Sequence, residues 1–77
     1  MEEKYEKLDC LGLYCPVPVL QLREKMDSLP VGAVLEVLVD DPAAEEDFIR
    51  WAKRTEQQIL KFEKKGTIMR FLIKKMV

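Results

Sequence analysis

The residues best suited to chemistry lie in the stretch Leu11–Leu22, "LGLYCPVPVLQL". Cys15 stands directly before Pro16, and Pro18 follows two positions later. A helical pattern begins at the same point. Val19, Leu22, Met26 and Leu29 recur at intervals of three and four, which predicts a helix over Pro16–Ser28. Prolines are tolerated in the first turn of a helix, where the amides have no intrahelical acceptor in any case. The expected geometry makes Cys15 the N-cap, Pro16 the first helical residue and Pro18 the third. An N-cap side chain ordinarily accepts from the second or third helical amide, so Val17 N–H is the one left to face the sulfur.

A sulfur in that position would feel the positive end of the helix dipole. A helix N-terminus can bring a thiol pKa down from roughly 8.5 into the range of about 3.5–7.5. The thiolate is the nucleophile, so Cys15 is expected to be reactive without a neighbouring base. The plainer alternative is a small buried cysteine at a loop–helix junction. Cys10 is the second thiol, and its C-x₄-C spacing from Cys15 differs from the C-x-x-C of a dithiol redox centre. It is expected to pack as a small apolar residue at a strand end. In the other reading it forms a transient disulfide with Cys15 when the two sulfurs approach.

The chain has no histidine, which removes Cys–His nucleophilic catalysis and most zinc sites. Two thiols alone do not close a zinc site without carboxylates or a second chain, so no metal is expected. Thirteen basic and fourteen acidic residues leave a formal charge of −1, against the basic excess that nucleic acid demands. An apolar share of 48% with 35% charged residues suits a folded globular chain. No apolar run approaches the ~20 residues of a membrane span. The charged start "MEEKYEKLD" lacks the apolar centre of a secretory leader, so cytoplasm is the expected compartment. Seventy-seven residues are enough for one domain, expected over 1–77.

The elements that must position Cys15 follow from pattern. "KYEKLDCL" (4–11) is a short strand candidate, broken by "GLY" before the cysteine. "LPVG" stops the first helix. "VLEVLV" (34–39) is rich in β-branched residues and almost wholly apolar, as a central strand is. "DDPAAEEDFIRWAKRT" opens a second helix, with Asp41 as N-cap, Pro42 in the first position and Glu45, Glu46 and Asp47 complementing the dipole. Ala44, Phe48, Trp51 and Ala52 share its apolar face. Gln58–Glu63 and Thr67–Lys74 read as a hairpin turning at Gly66. The order is β-α-β-α-β-β, an α/β two-layer sandwich with both helices on one face of the sheet. Leu35, Val37 and Val39 would meet Met69, Phe71 and Ile73 beneath the helices. Val34, Leu38, Ile68 and Leu72 would then form an apolar patch on the bare face, unless the stems of Arg70 and Lys61 lie over it.

"LDCLGLYCPVPVLQL" resembles the N-terminal signature of the TusA/SirA-like sulfur-carrier family, Leu-Asp-x-x-Gly-x-x-Cys-Pro-x-Pro, here Leu8, Asp9, Gly12, Cys15, Pro16 and Pro18. "LPVGAVLEVLVDDPAAEEDF" is similar to the family's second strand and Asp-Pro helix start, and "RFLIKK" to its closing strand. The resemblance implies a mixed four-stranded sheet in the order 1-2-4-3. It implies a sulfurtransferase in which Cys15 carries sulfur as a persulfide, supported by Gly12, Pro16, Val17 and Pro18, with no cofactor. The donor would be a cysteine desulfurase or rhodanese-like protein, and the acceptor the next protein of a relay, serving tRNA thiolation or another sulfur pathway. Where the family often has a Gly-His-Glu-like stretch before the third strand, this chain has "TEQQIL", so partner identity does not carry over. A thiol redox or sensor protein using Cys10 and Cys15, and a non-catalytic binding module, are the other readings that the residues leave open.

Overall fold

Strict alternation along β2 (Val34–Val39) organises the molecule. Leu35, Val37 and Val39 are buried, while Val34, Glu36 and Leu38 on the other side are half-covered. The computed structural model describes residues 5–77. Within them β1 (Glu6–Cys10), α1 (Val17–Asp27), β2, α2 (Pro42–Thr55), β3 (Gln58–Lys65) and β4 (Ile68–Lys74) follow in order. One mixed sheet forms in the order β1-β2-β4-β3, as the resemblance implies. β1 pairs parallel with β2, and β4 pairs antiparallel with β2 and β3. The crossover through α2 skips one strand position, and the β3–β4 hairpin folds back to fill it. β2, the apolar strand, is thereby central.

Both helices lie on the face that carries Leu35, Val37, Val39, Met69, Phe71 and Ile73, where α1 contributes Leu22 and Met26 and α2 contributes Ala44, Phe48, Trp51 and Ala52. Phe71 is sandwiched in register: its ring lies 5.0 Å from Phe48 above it and 4.8 Å from Phe62 on the neighbouring strand. Truncating a ring in such a place typically costs ~3–5 kcal/mol. Trp51 is core, as its helical companions predict.

The boundaries differ at the ends. α1 begins at Val17 and ends at Asp27, one residue inside the expected helix at each end. β1 is shorter than expected: Leu11 belongs to a turn, and Lys4 lies outside the described residues. β3 runs on to Lys65, because Lys64 and Lys65 pair with Met69 and Ile68. A register shift between Ile59 and Lys61 leaves Leu60 as an extra residue in β3.

The outer face of the sheet is not the open apolar patch of the first expectation. Arg70 donates to Glu36 on one neighbouring strand and, at 2.7 Å, to Glu63 on the other. This network crosses the middle of the face. Leu72 is only 8% exposed and Val34 and Leu38 are half-covered, which leaves Ile68, 44% exposed, at one end. Of the two side chains expected to lie over this face, Arg70 ties its middle together through Glu36 and Glu63, whereas Lys61, 3.7 Å from Glu63, stays 58% exposed.

Candidate functional site

Parallel pairing sets Cys10 opposite Val39, so the chain leaves β1 and β2 at the same end of the sheet. The first exit leads through Gly12 to Cys15 and α1; the second leads through Asp40 and Asp41 to α2. The two exits are tied together. Gly12 has a φ of +79°, in the left-handed region that glycine adopts at little cost. Its N–H donates to Asp40 Oδ1 at 3.0 Å. Within the first exit, Leu13 N–H donates to the Cys10 carbonyl at 3.2 Å, and Leu11 N–H to Asp9 Oδ1 at 2.9 Å.

Asp41 caps α2 as expected, accepting from Ala43 N–H through Oδ1 at 3.1 Å. Its other oxygen, Oδ2, accepts the Cys15 N–H at 2.7 Å. One buried carboxylate therefore starts the second helix and fixes the backbone of the cysteine before the first. Cys15 is not the N-cap of α1; Pro16 occupies that position, and Val17 and Pro18 are the first two helical residues. Val17 N–H does not face the sulfur, because it closes a tight turn onto the Tyr14 carbonyl at 2.8 Å. The turn Tyr14–Val17 and the Asp41 carboxylate take up the local amides, so the helix proper starts one residue later. Pro18 is buried and Pro16 exposed.

The sulfur itself points to α2. Cys15 is exposed, and its thiol donates to Asp47 Oδ2 at 3.1 Å. Asp47 is 23% exposed, and its Oδ1 lies 3.9 Å from the Arg50 guanidinium, which also meets Glu46 at 3.7 Å. The hydrogen bond to Asp47, slight desolvation and the negative charges of Asp47 and Asp41 hold the thiol above its ordinary pKa, with Arg50 opposing them. The expected lowering by the helix terminus is thus overturned. Cys15 precedes the cap, and an anionic neighbour in direct contact outweighs a dipole that acts within the first turn.

Cys10 is fully buried, with its thiol 3.8 Å from Gln21 Oε1, and it packs with the core as a small apolar residue. Burial, with the charge of Asp9, pushes its thiol up as well. Both cysteines are free. Leu13 packs on the core, whereas Tyr14 is 74% exposed, so the residues flanking the cysteine divide between loop packing and an open rim. Among the described residues, no three Cys, Asp or Glu side chains are grouped to hold a metal.

Asp47, Asp40 and Arg50, and the second bond of Asp41, were not identified as site features in the sequence. Asp41 and Asp47 are legible there, but as a helix cap and as dipole compensation. No local spacing rule connects Cys15 to a carboxylate 32 residues away.

Comparison with known proteins agrees with this architecture. The solved structure of a SirA-like protein from Desulfitobacterium hafniense superposes with a TM-score of 0.79 at 26% identity, over 92% of this chain and 97% of that one. A protein of Archaeoglobus fulgidus is 43% identical over 70 residues, 90% of this chain and 91% of its own. The sulfur carrier protein TusA of Allochromatium vinosum is 36% identical over 70 residues, covering 91% of this chain and 92% of its own. The family model described as sulfurtransferase TusA matches residues 6–75, nearly the whole length, and the chain belongs to that family.

Proposed function

We propose that this protein is a sulfur carrier that receives sulfur as a persulfide on Cys15 and passes it to a partner protein. The observation that carries the reading is the exposed Cys15 thiol on a turn whose backbone is held by Asp41, in a chain of this family. The name of the Allochromatium relative supports the same role. Loading is a sulfane transfer without net oxidation. The Cys15 sulfur attacks the outer sulfur of a donor persulfide; one S–S bond forms, the donor's S–S bond breaks, and its electron pair leaves on the donor thiolate. The proton lost by Cys15 ends on that thiolate. A cysteine desulfurase or rhodanese-like protein is the donor class, and a second protein thiol is the acceptor. A reducing cytoplasm would keep the carrier thiol available. No helix among the described residues is long and apolar enough to cross a membrane.

Burial of Cys10 favours a single-thiol carrier over the Cys10–Cys15 redox pair. Intact mass after incubation with cysteine and a cysteine desulfurase tests the proposal. The protein should gain one sulfur atom, lost again to a reductant, and Cys15→Ser should gain none. A wild-type protein that gains no sulfur, or a Cys15→Ser variant that still does, would refute it.

A further inference from the structure

We propose that Asp47 is the proton-holding residue of the site: its carboxylate keeps the resting Cys15 sulfur as a thiol and aims it along α2, so that transfer begins only when this hydrogen bond is given up. The inference rests on the reading of Cys15 as the sulfur-bearing residue and adds the control of its protonation.

The geometry divides Asp47 between two partners. Oδ2 accepts the Cys15 thiol proton at 3.1 Å, while Oδ1 lies 3.9 Å from Arg50. Asp47 and Arg50 lie three residues apart on α2, so both face the same side of that helix. Among the described residues, the charged groups that act on Cys15 are Asp47, Asp41 and Arg50, all supplied from the β2–α2 side. The first turn of α1 brings no acidic side chain to it. Asp41 is committed elsewhere, because its two oxygens accept the Cys15 and Ala43 amides. Asp47 is the carboxylate that touches the sulfur. A carboxylate in that position stabilises the S–H form by accepting its proton and opposes a thiolate by charge. Arg50 partly neutralises Asp47 and thereby weakens the hold.

The physical consequence is a sulfur that is exposed yet restrained. A free thiol on a surface turn would ionise at its ordinary pKa and react with any passing electrophile. Here the anion forms only against Asp47. The restraint also fixes the direction of the sulfur, which otherwise has three staggered positions about its χ1.

The test is the pH dependence of Cys15 alkylation by iodoacetamide in the full chain, followed at Cys15 by peptide mass. In Asp47→Asn the midpoint should fall. The larger thiolate fraction is partly offset by the lower nucleophilicity of a more acidic thiol, so the rate at pH 7 should rise about threefold. Arg50→Gln leaves Asp47 without its cation and should move the midpoint the other way. An unchanged or higher midpoint in folded Asp47→Asn overturns the proposal. If that variant fails to fold by circular dichroism, an unchanged or lower midpoint in Arg50→Gln overturns it. Alkylation needs no sulfur donor, so the outcomes separate: a shifted midpoint in a protein that gains no sulfur keeps the role of Asp47 and removes the carrier function, and sulfur gain with unshifted midpoints does the reverse.

Discussion

Asp41 binds the Cys15 amide at 2.7 Å through one carboxylate oxygen while the other, at 3.1 Å from Ala43 N–H, caps α2. The start of one helix and the approach to the other are thus held by the same side chain. At 9% exposure Asp41 has little water to replace either partner.

Asp41→Ala should therefore cost more than an ordinary cap. A lost N-cap costs ~1 kcal/mol, and a hydrogen bond to a charged group is worth ~1.5–3 kcal/mol. Urea unfolding should show a loss of about 2–4 kcal/mol on those two counts, with Asp41→Asn in between. A loss below ~0.5 kcal/mol would mean that neither bond matters in solution.

The two thiols should differ in reactivity. Cys15 is exposed and Cys10 fully buried, so iodoacetamide should label Cys15 first in the native protein. In denaturant the two rates should converge, because both thiols are then solvated. Equal labelling in the native state would contradict the burial of Cys10. The raised thiol pKa values also set a sign. Both folded thiols hold their protons more tightly than unfolded ones, whose ordinary value is roughly 8.5. Their contribution to stability is complete below that pH and is lost as pH rises through the folded values. Wild type should accordingly lose stability more steeply above pH ~9 than a Cys10→Ala, Cys15→Ser variant.

Pro18→Ala tests what a proline at the second helical position contributes. Its ring is buried beside the core and its missing N–H removes no helical bond. The substitution should cost about 1–2 kcal/mol, through the lost ring contacts and a more flexible unfolded chain. It should also slow sulfur gain on Cys15, because the turn from Tyr14 to Val17 loses its stiff continuation. A stability within ~0.3 kcal/mol of wild type would show that the ring's burial contributes nothing.

On the outer face, Arg70 links Glu36 and Glu63 across three strands. The hydrogen bond to Arg70, with the charge of Lys61, lowers the pKa of Glu63. A lowered carboxylate stabilises the fold above its unfolded pKa, and this contribution is lost as pH falls through the folded value. Arg70→Leu should be less stable than wild type at pH 7, and the difference should shrink as pH drops below the ordinary carboxylate range of about 4.5. A difference that stays constant to pH 3 would assign the effect to packing.

Much of the frame is a local property of the chain. The 34–39 strand, the helix faces Leu22/Met26 and Ala44/Phe48/Trp51/Ala52, and the Asp41–Pro42 helix start were legible because periods of two and 3.6 and cap chemistry operate over a few residues. The same is true of Cys15 as the candidate thiol: its setting between a glycine turn and two prolines is contiguous. The order 1-2-4-3 came from family resemblance, since nothing in strand pattern alone says which strand fills the gap beside β2.

The environment of the sulfur was decided only by the tertiary structure. Sequence proximity suggested that Cys15 would take its electrostatics from the helix it precedes. Parallel pairing of β1 with β2 instead brings in Asp41 and Asp47, 26 and 32 residues away, and they reverse the direction of the thiol's pKa. The outer face shows the same division. Strand parity placed Val34, Leu38, Ile68 and Leu72 there correctly, but only the register of three strands puts Arg70 between two glutamates. Local rules determine which residues share a face. Contact between distant segments depends on pairing register and loop exit, and a direct charge contact is strong enough to override what the local pattern implies.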